Sequence, residues 1–126
     1  MEAIKTVDLT KKYKDLTAVD NLDLTINKGE LFSILGVNGA GKSTTMNIIT
    51  GCLAATSGTA TIDGHDIFEE PIEAKKLIGY LPEMPPLYMD MTPAEYLTFV
   101  AEAKGLRGFD AIGQVEEVIE VTGLEE

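Results

Sequence analysis

The 126-residue chain holds a single cysteine, Cys52, which excludes an internal disulfide and a cysteine-based metal cluster. Its plain reading is a small residue placed just after a helix, and a cytoplasmic setting fits such sparing use of thiols. No uninterrupted apolar run reaches the roughly 18 residues of a membrane-spanning helix, and the N-terminus carries no signal-peptide pattern. Low-complexity tracts and internal repeats are missing as well, leaving the composition of one ordinary soluble globular domain. Positive charge is scarce, with 10 Lys and Arg against 21 Asp and Glu and a formal net charge of −11. The deficit is uneven: residues 1–66 carry 8 acids and 6 bases, whereas residues 67–126 carry 13 acids and 4 bases. A chain without a basic stripe, and with an acidic second half, argues against nucleic acid as its partner because phosphates would be repelled. The acids themselves read as solvated helix faces.

What is present centres on Gly36-Val37-Asn38-Gly39-Ala40-Gly41-Lys42-Ser43-Thr44, which has the Gly-x-x-x-x-Gly-Lys-Ser spacing of a phosphate-binding loop. Its context strengthens the assignment. Leu31 to Leu35 precedes it as an apolar segment of strand length, and Ser43 to Ile49 follows without Gly or Pro, ending at Gly51 as a helix closed by a left-handed glycine would. Strand, glycine loop and helix together aim backbone N–H groups and a helix N-terminus at phosphate oxygens. Gly36, Gly39 and Gly41 permit close backbone approach, and Asn38 and Ala40 complete the cradle. Lys42 offers an ammonium to the β- and γ-phosphates, Ser43 a hydroxyl to Mg²⁺, and Thr44 a further contact near the α-phosphate.

The first thirty residues read as β-structure. Leu22, Leu24 and Ile26 alternate with polar residues in a half-buried strand, while Ile4, Val7 and Leu9 predict an earlier strand with an irregularity. Gly58 to Ile62 is a short strand closed by an Asp63-Gly64 turn, Ile72 to Leu77 a short helix, and Ile78 to Leu81 a brief strand stopped by Pro82. Thr92-Pro93-Ala94-Glu95 is a helix start with a capping box, and Tyr96, Val100 and Ala103 then share a face. Asp110 is expected to cap a second helix with Val115, Val118, Ile119 and Thr122 on one side and Gly123 after it. His65, Asp63 and Asp66 read as turn and loop residues rather than a metal site.

In this order, Lys12-Tyr13, Thr17-Ala18-Val19-Asp20, Lys28-Gly29-Glu30, the glycine loop, Ser57-Gly58, Ile62-Asp63-Gly64 and Ile78 to Glu83 resemble the ATP-binding subunit of ABC transporters. The resemblance covers the whole chain, and Leu81-Pro82-Glu83 is similar to a variant of its ABC-2 export-type branch. It implies an α/β fold: a P-loop nucleotide-binding core with an N-terminal antiparallel β region over residues 1–81, a Q-loop-like linker over 82–91, and the start of a helical subdomain over 92–126. It also implies ATP and Mg²⁺ as cofactors, Tyr13 as the aromatic stacked on adenine with Val19 nearby, and Ser43 with Glu83 beside the metal. Many family members carry Gln where Glu83 stands, so an ionised carboxylate there brings negative charge near the phosphates.

Implied partners are a membrane-spanning transporter subunit and a second ATP-binding subunit, which would hold the protein peripherally on the cytoplasmic face of a membrane. The apolar loop Met84-Pro85-Pro86-Leu87-Tyr88-Met89 reads equally as a socket for a cytoplasmic helix of that subunit and as packing beneath its own helical region. The family's signature, Mg²⁺-positioning Asp, general-base Glu and histidine switch are not found in this sequence. The expectation is therefore a truncated piece that binds nucleotide, is inactive alone, and self-associates through an uncovered strand edge. A non-transport ABC protein and a stand-alone nucleotide-binding module are the alternatives.

Overall fold

Alternation in the first thirty residues produces two long antiparallel strands, β1 (Glu2–Tyr13) and β2 (Leu16–Asn27), joined by a tight turn at Lys14-Asp15. The computed structural model describes residues 1–37, 39–84 and 87–125. The expected irregularity in β1 is a register shift between Thr6 and Leu9, where Asp8 takes a φ of 50° and its N–H donates to the Asp23 carboxylate at 2.8 Å. β3 (Ser57–Ile62) pairs antiparallel with the other edge of β1, and β4 (His65–Asp66) returns against β3 through the Asp63-Gly64 turn. The sheet order is β2-β1-β3-β4.

Helix α1 (Lys42–Ile49) packs one face on this sheet. Ile48 and Ile49 join Leu9, Ala60, Ile62, Ile67 and Ala74 in one buried cluster, with Ala74 contributed by the short helix α2 (Pro71–Lys75). Burial of about five large aliphatic side chains at roughly 1.5–3 kcal/mol each makes this cluster the chief source of stability for residues 1–80.

Residues 81–126 form a second unit. Helix α3 (Pro93–Ala103) starts as its sequence predicts: the Thr92 hydroxyl accepts from the Glu95 N–H, and the Glu95 carboxylate accepts from the Thr92 N–H, each at 3.2 Å. Replacing Thr92 by alanine is expected to cost about 1 kcal/mol, read as a lower urea midpoint for the helical signal. Helix α4 (Gly108–Thr122) begins earlier than the sequence predicts, with Arg107 rather than Asp110 at the cap. Asp110 instead lies in the first turn, where a carboxylate still favours the positive end of the helix. The buried face also differs. Ala101, Ala111 and Val115 are its centre, with Leu97, Leu106 and Ile119 around them, while Ala103 and Thr122 face outward. Small alanines at the crossing let the two helices approach, a preference that the larger Tyr96 and Val100 conceal in a simple periodicity count.

Two further expectations fail. Neither Leu31–Leu35 nor Ile78–Leu81 is a strand. A strand exists through its ladder, and none of the described strands pairs with either segment. Leu31 and Leu35 are accordingly 100% and 91% exposed.

One ion pair ties the ends of the sheet. The Lys28 ammonium lies 2.9 Å from the Asp63 carboxylate and, by hydrogen bonding and then by charge, holds Asp63 below the usual carboxylate range. Because the folded value is the depressed one, this contribution is present above the unfolded pKa and is lost as pH falls through the folded value. Melting curves taken downward from pH 6 are expected to fall less steeply for Asp63→Asn than for the parent chain.

Candidate functional site

The glycine loop leads from Leu35 into α1, and its conformation is set from both sides. Gly41, the N-cap of α1, has a φ of 98°, in the left-handed region. A Cβ at Gly41 would collide with the Ala18 carbonyl oxygen and lie 3.7 Å from Val19 Cγ2. The loop therefore rests its backbone directly on β2, which only glycine allows. That contact places Val19, itself 7% exposed, beside the start of α1.

Helix α1 is then locked by Thr45, whose N–H and hydroxyl both donate to the Gly41 carbonyl, at 2.9 and 2.8 Å. The N–H groups of the first turn, at Lys42, Ser43 and Thr44, have no carbonyl within the helix to bond. No acidic side chain stands in that turn, so nothing there opposes an anion.

Lys42 folds back over its own loop and donates to the Gly36 carbonyl. The same loop is close-packed, since a Cβ on Gly36 would meet the Ala40 Cβ at 3.3 Å and the Lys42 stem at 3.7 Å. Gly39 has a φ of 86° with open space around it, Ala40 and Ser43 are exposed, and Lys42 and Thr44 are half-buried. Asn38, also named from the sequence, lies outside the described residues. The donors gathered here are backbone N–H groups, one ammonium and two hydroxyls, a set suited to the oxygens of a phosphate chain.

A hard divalent cation fits the same place only in a particular way. Among the described residues, no group of three or more His, Cys, Asp or Glu side chains could hold a metal. Ser43 offers a single oxygen, which matches the habit of Mg²⁺ of keeping water and phosphate for its other ligands. Glu83 is exposed in the second unit.

Tyr13 closes β1 opposite Leu16, two residues beyond the pair that Lys11 makes with Val19. Tyr13 is 46% exposed, which leaves it open to a stacking partner. Sequence reasoning missed two participants. Ala18 supplies the carbonyl on which Gly41 rests, and Lys11 places its ammonium over the Tyr13 ring, 5.1 Å from the centroid. Ala18 left no signal, because any residue provides a carbonyl. For Lys11 the i, i+2 spacing to Tyr13 was available, since alternate strand residues share a face.

A cavity of about 430 Å³ opens on the other flank of α1, lined by Ile4, Leu24, Ile26, Ile34, Met46 and Tyr80 among others. Its apolar walls do not suit a phosphate. In the second unit, Leu87, Tyr88, Met89, Tyr96 and Leu97 line a similar groove, and Tyr88 meets Phe99 edge-on with centroids 5.5 Å apart. The Tyr88 ring thus lies against its own helical region, while Pro85 and Pro86 fall outside the described residues.

A family model described as "ABC transporter" matches residues 19–126. The chain is 38% identical over 122 residues to the bacitracin transport ATP-binding protein of Bacillus licheniformis, covering 97% of this chain and 39% of that protein. Among solved structures it is similar to cbiO1 of Clostridium perfringens, described as part of the ABC transporter complex cbiONQ, with a TM-score of 0.80 and 26% identity. That match covers 97% of this chain and 51% of the other. A dimeric bacterial ABC transporter cassette gives a TM-score of 0.79 and 28% identity, over 93% of this chain and 54% of its own. The chain thus spans about two fifths of that curated relative and about half of the two solved chains.

Proposed function

The chain belongs to the ABC transporter family of ATP-binding proteins, and from that premise we propose that residues 36–44 bind the triphosphate of ATP as the N-terminal half of a transporter's ATPase subunit. The observation that carries this reading is the left-handed Gly41 seated on the Ala18 carbonyl, which turns the loop so that α1 begins beside Val19. Anions are favoured at such a helix end by the unpaired N–H groups and the helix dipole together.

Each residue then has a role. Lys42 leaves the Gly36 carbonyl for the β- and γ-phosphates, exchanging a neutral acceptor for an anionic one. Gly39, Ala40, Gly41 and Thr44 present backbone or hydroxyl donors, with Gly36 and Asn38 completing the cradle. Tyr13 stacks on adenine, contributing on the order of 1 kcal/mol, and Val19 covers the base and ribose side. Ser43 would hold Mg²⁺. When bound, Mg²⁺ neutralises charge on the β- and γ-phosphates.

In full length, the protein would couple ATP hydrolysis to export, a direction that follows from the resemblance of Leu81-Pro82-Glu83 to the ABC-2 export-type branch; one relative is named for bacitracin transport. Its partners would be a second ATP-binding subunit and a membrane-spanning subunit, in keeping with relatives described as a dimeric cassette and as part of a transporter complex. The described residues include no helix long and apolar enough to cross a membrane. By the family resemblance, attachment would be peripheral, on the cytoplasmic face. Residues 1–81, 82–91 and 92–126 would serve as nucleotide-binding core, Q-loop-like linker and helical subdomain. The chain by itself should bind nucleotide, turn it over poorly or not at all, and self-associate through the apolar segment around Leu31 and Leu35.

Calorimetric titration with Mg-ATP is the test. Saturable binding at one site is expected, with phosphate release near background; absence of binding at millimolar nucleotide would overturn the assignment.

A further inference from the structure

The Tyr13 ring does not stand alone at the end of β1. The Lys11 ammonium lies 5.1 Å from its centroid, over one face, and donates at 2.9 Å to the carbonyl of Ala54. Lys11 and Tyr13 are alternate residues of one strand, so their side chains emerge on the same side. Ala54 belongs to the loop that follows α1, and that loop is fastened to β1 by two further bonds. Thr56 N–H donates to the Thr10 carbonyl at 2.8 Å, and Lys12 N–H donates to the Thr56 hydroxyl at 2.9 Å. The other end of α1 is the phosphate loop, where Gly41 rests on Ala18, next to the Val19 that pairs with Lys11. A single ammonium thus joins the aromatic ring to the far end of the helix whose N-terminus receives phosphate.

We propose that Lys11 is a positioning residue for the nucleotide base: anchored on the Ala54 carbonyl, its ammonium occupies one face of Tyr13, so that the ring presents its other face to adenine at a fixed tilt. This rests on the reading of Tyr13 as the base platform. An exposed tyrosine at a strand end samples several rotamers, and stacking is gained only from the one that lies parallel to the base. A cation held over one face selects among those rotamers, because it is attracted to the ring's negative face and not to its edge. Ordering the platform before the ligand arrives removes that cost from binding. Lys11 touches neither the phosphates nor the base in this arrangement. Its effect runs through the ring.

That separation makes the test selective. Dissociation constants for Mg-ATP and for Mg-tripolyphosphate, which has no base, would be measured in the full-length protein carrying Lys11→Ala, Lys11→Arg, Tyr13→Ala and the Lys11→Ala/Tyr13→Ala pair. Lys11→Ala is expected to weaken Mg-ATP about two- to fivefold while tripolyphosphate binding stays unchanged. Lys11→Arg, which keeps a cation over the ring, should retain most of the affinity. In the Tyr13→Ala background, removing Lys11 should cost nothing further. Equal losses for ATP and tripolyphosphate, additive losses in the double variant, or unchanged ATP affinity in Lys11→Ala would each overturn the proposal. Tyr13→Ala that binds ATP as the parent does would instead overturn the reading of Tyr13, and the role of Lys11 with it.

Discussion

Replacing Lys42 by alanine is expected to weaken Mg-ATP binding by roughly 30- to 150-fold, the equivalent of about 2–3 kcal/mol for one charge-assisted bond. The fold should not change. Lys42 is half-buried and, among the described residues, its ammonium bonds the carbonyl of its own loop, at Gly36, so truncation strands no buried charge. Lys42→Arg would recover little, because a planar guanidinium cannot present the compact point charge of the ammonium that bonds the Gly36 carbonyl. Calorimetry reads the affinity, and an unchanged circular dichroism spectrum separates lost binding from lost structure. A Lys42→Ala variant that binds ATP like the parent would remove the phosphate assignment from this loop.

The second large effect concerns stability. Gly58→Ala is expected to destabilise residues 1–80 by about 3–5 kcal/mol, enough to unfold a small unit of ordinary stability. Gly58, the second residue of β3, has a φ of 86°, where an L-residue is strained. A Cβ there would also collide with the Asp8 carbonyl and approach the Leu9 Cα within 2.7 Å. These are backbone atoms of the irregular stretch in β1, and Leu9 beside them is fully buried, so nothing nearby can yield cheaply. Urea unfolding followed by circular dichroism would show a collapsed or absent transition. A midpoint within experimental scatter of the parent's would mean that the β1–β3 contact is looser than its geometry indicates.

Gly58 illustrates which features a reader of the sequence can see. The Thr92 capping box, the Asp63-Gly64 turn and the glycine after α4 rest on residues within four positions of each other, so their residue types announce them. The glycine-loop motif of residues 36–44 is legible for the same reason. Gly58 against Asp8, Gly41 against Ala18, and Lys11 against Ala54 join residues far apart in the chain, and one partner in each case is a backbone carbonyl or Cα with no identity to read. Leu31–Leu35 makes the complementary point. Its apolar run has the composition of a buried strand, but composition cannot supply the neighbouring ladder that makes one. Tyr13 and Val19 stand between these cases. Only the family resemblance singled them out as base contacts, and the structure shows Val19 beside Gly41.

The proposed function requires a triphosphate seated at the N-terminus of α1 with the base toward Tyr13. Amide shifts recorded by two-dimensional NMR while Mg-ATP is added to isotope-labelled protein test it residue by residue. The predicted result is saturable movement concentrated at Gly39, Ala40, Gly41, Lys42, Ser43 and Thr44, with smaller changes at Tyr13 and Val19. Shifts confined to the apolar cavity around Ile4, Leu24 and Tyr80, or none at saturating nucleotide, would contradict it.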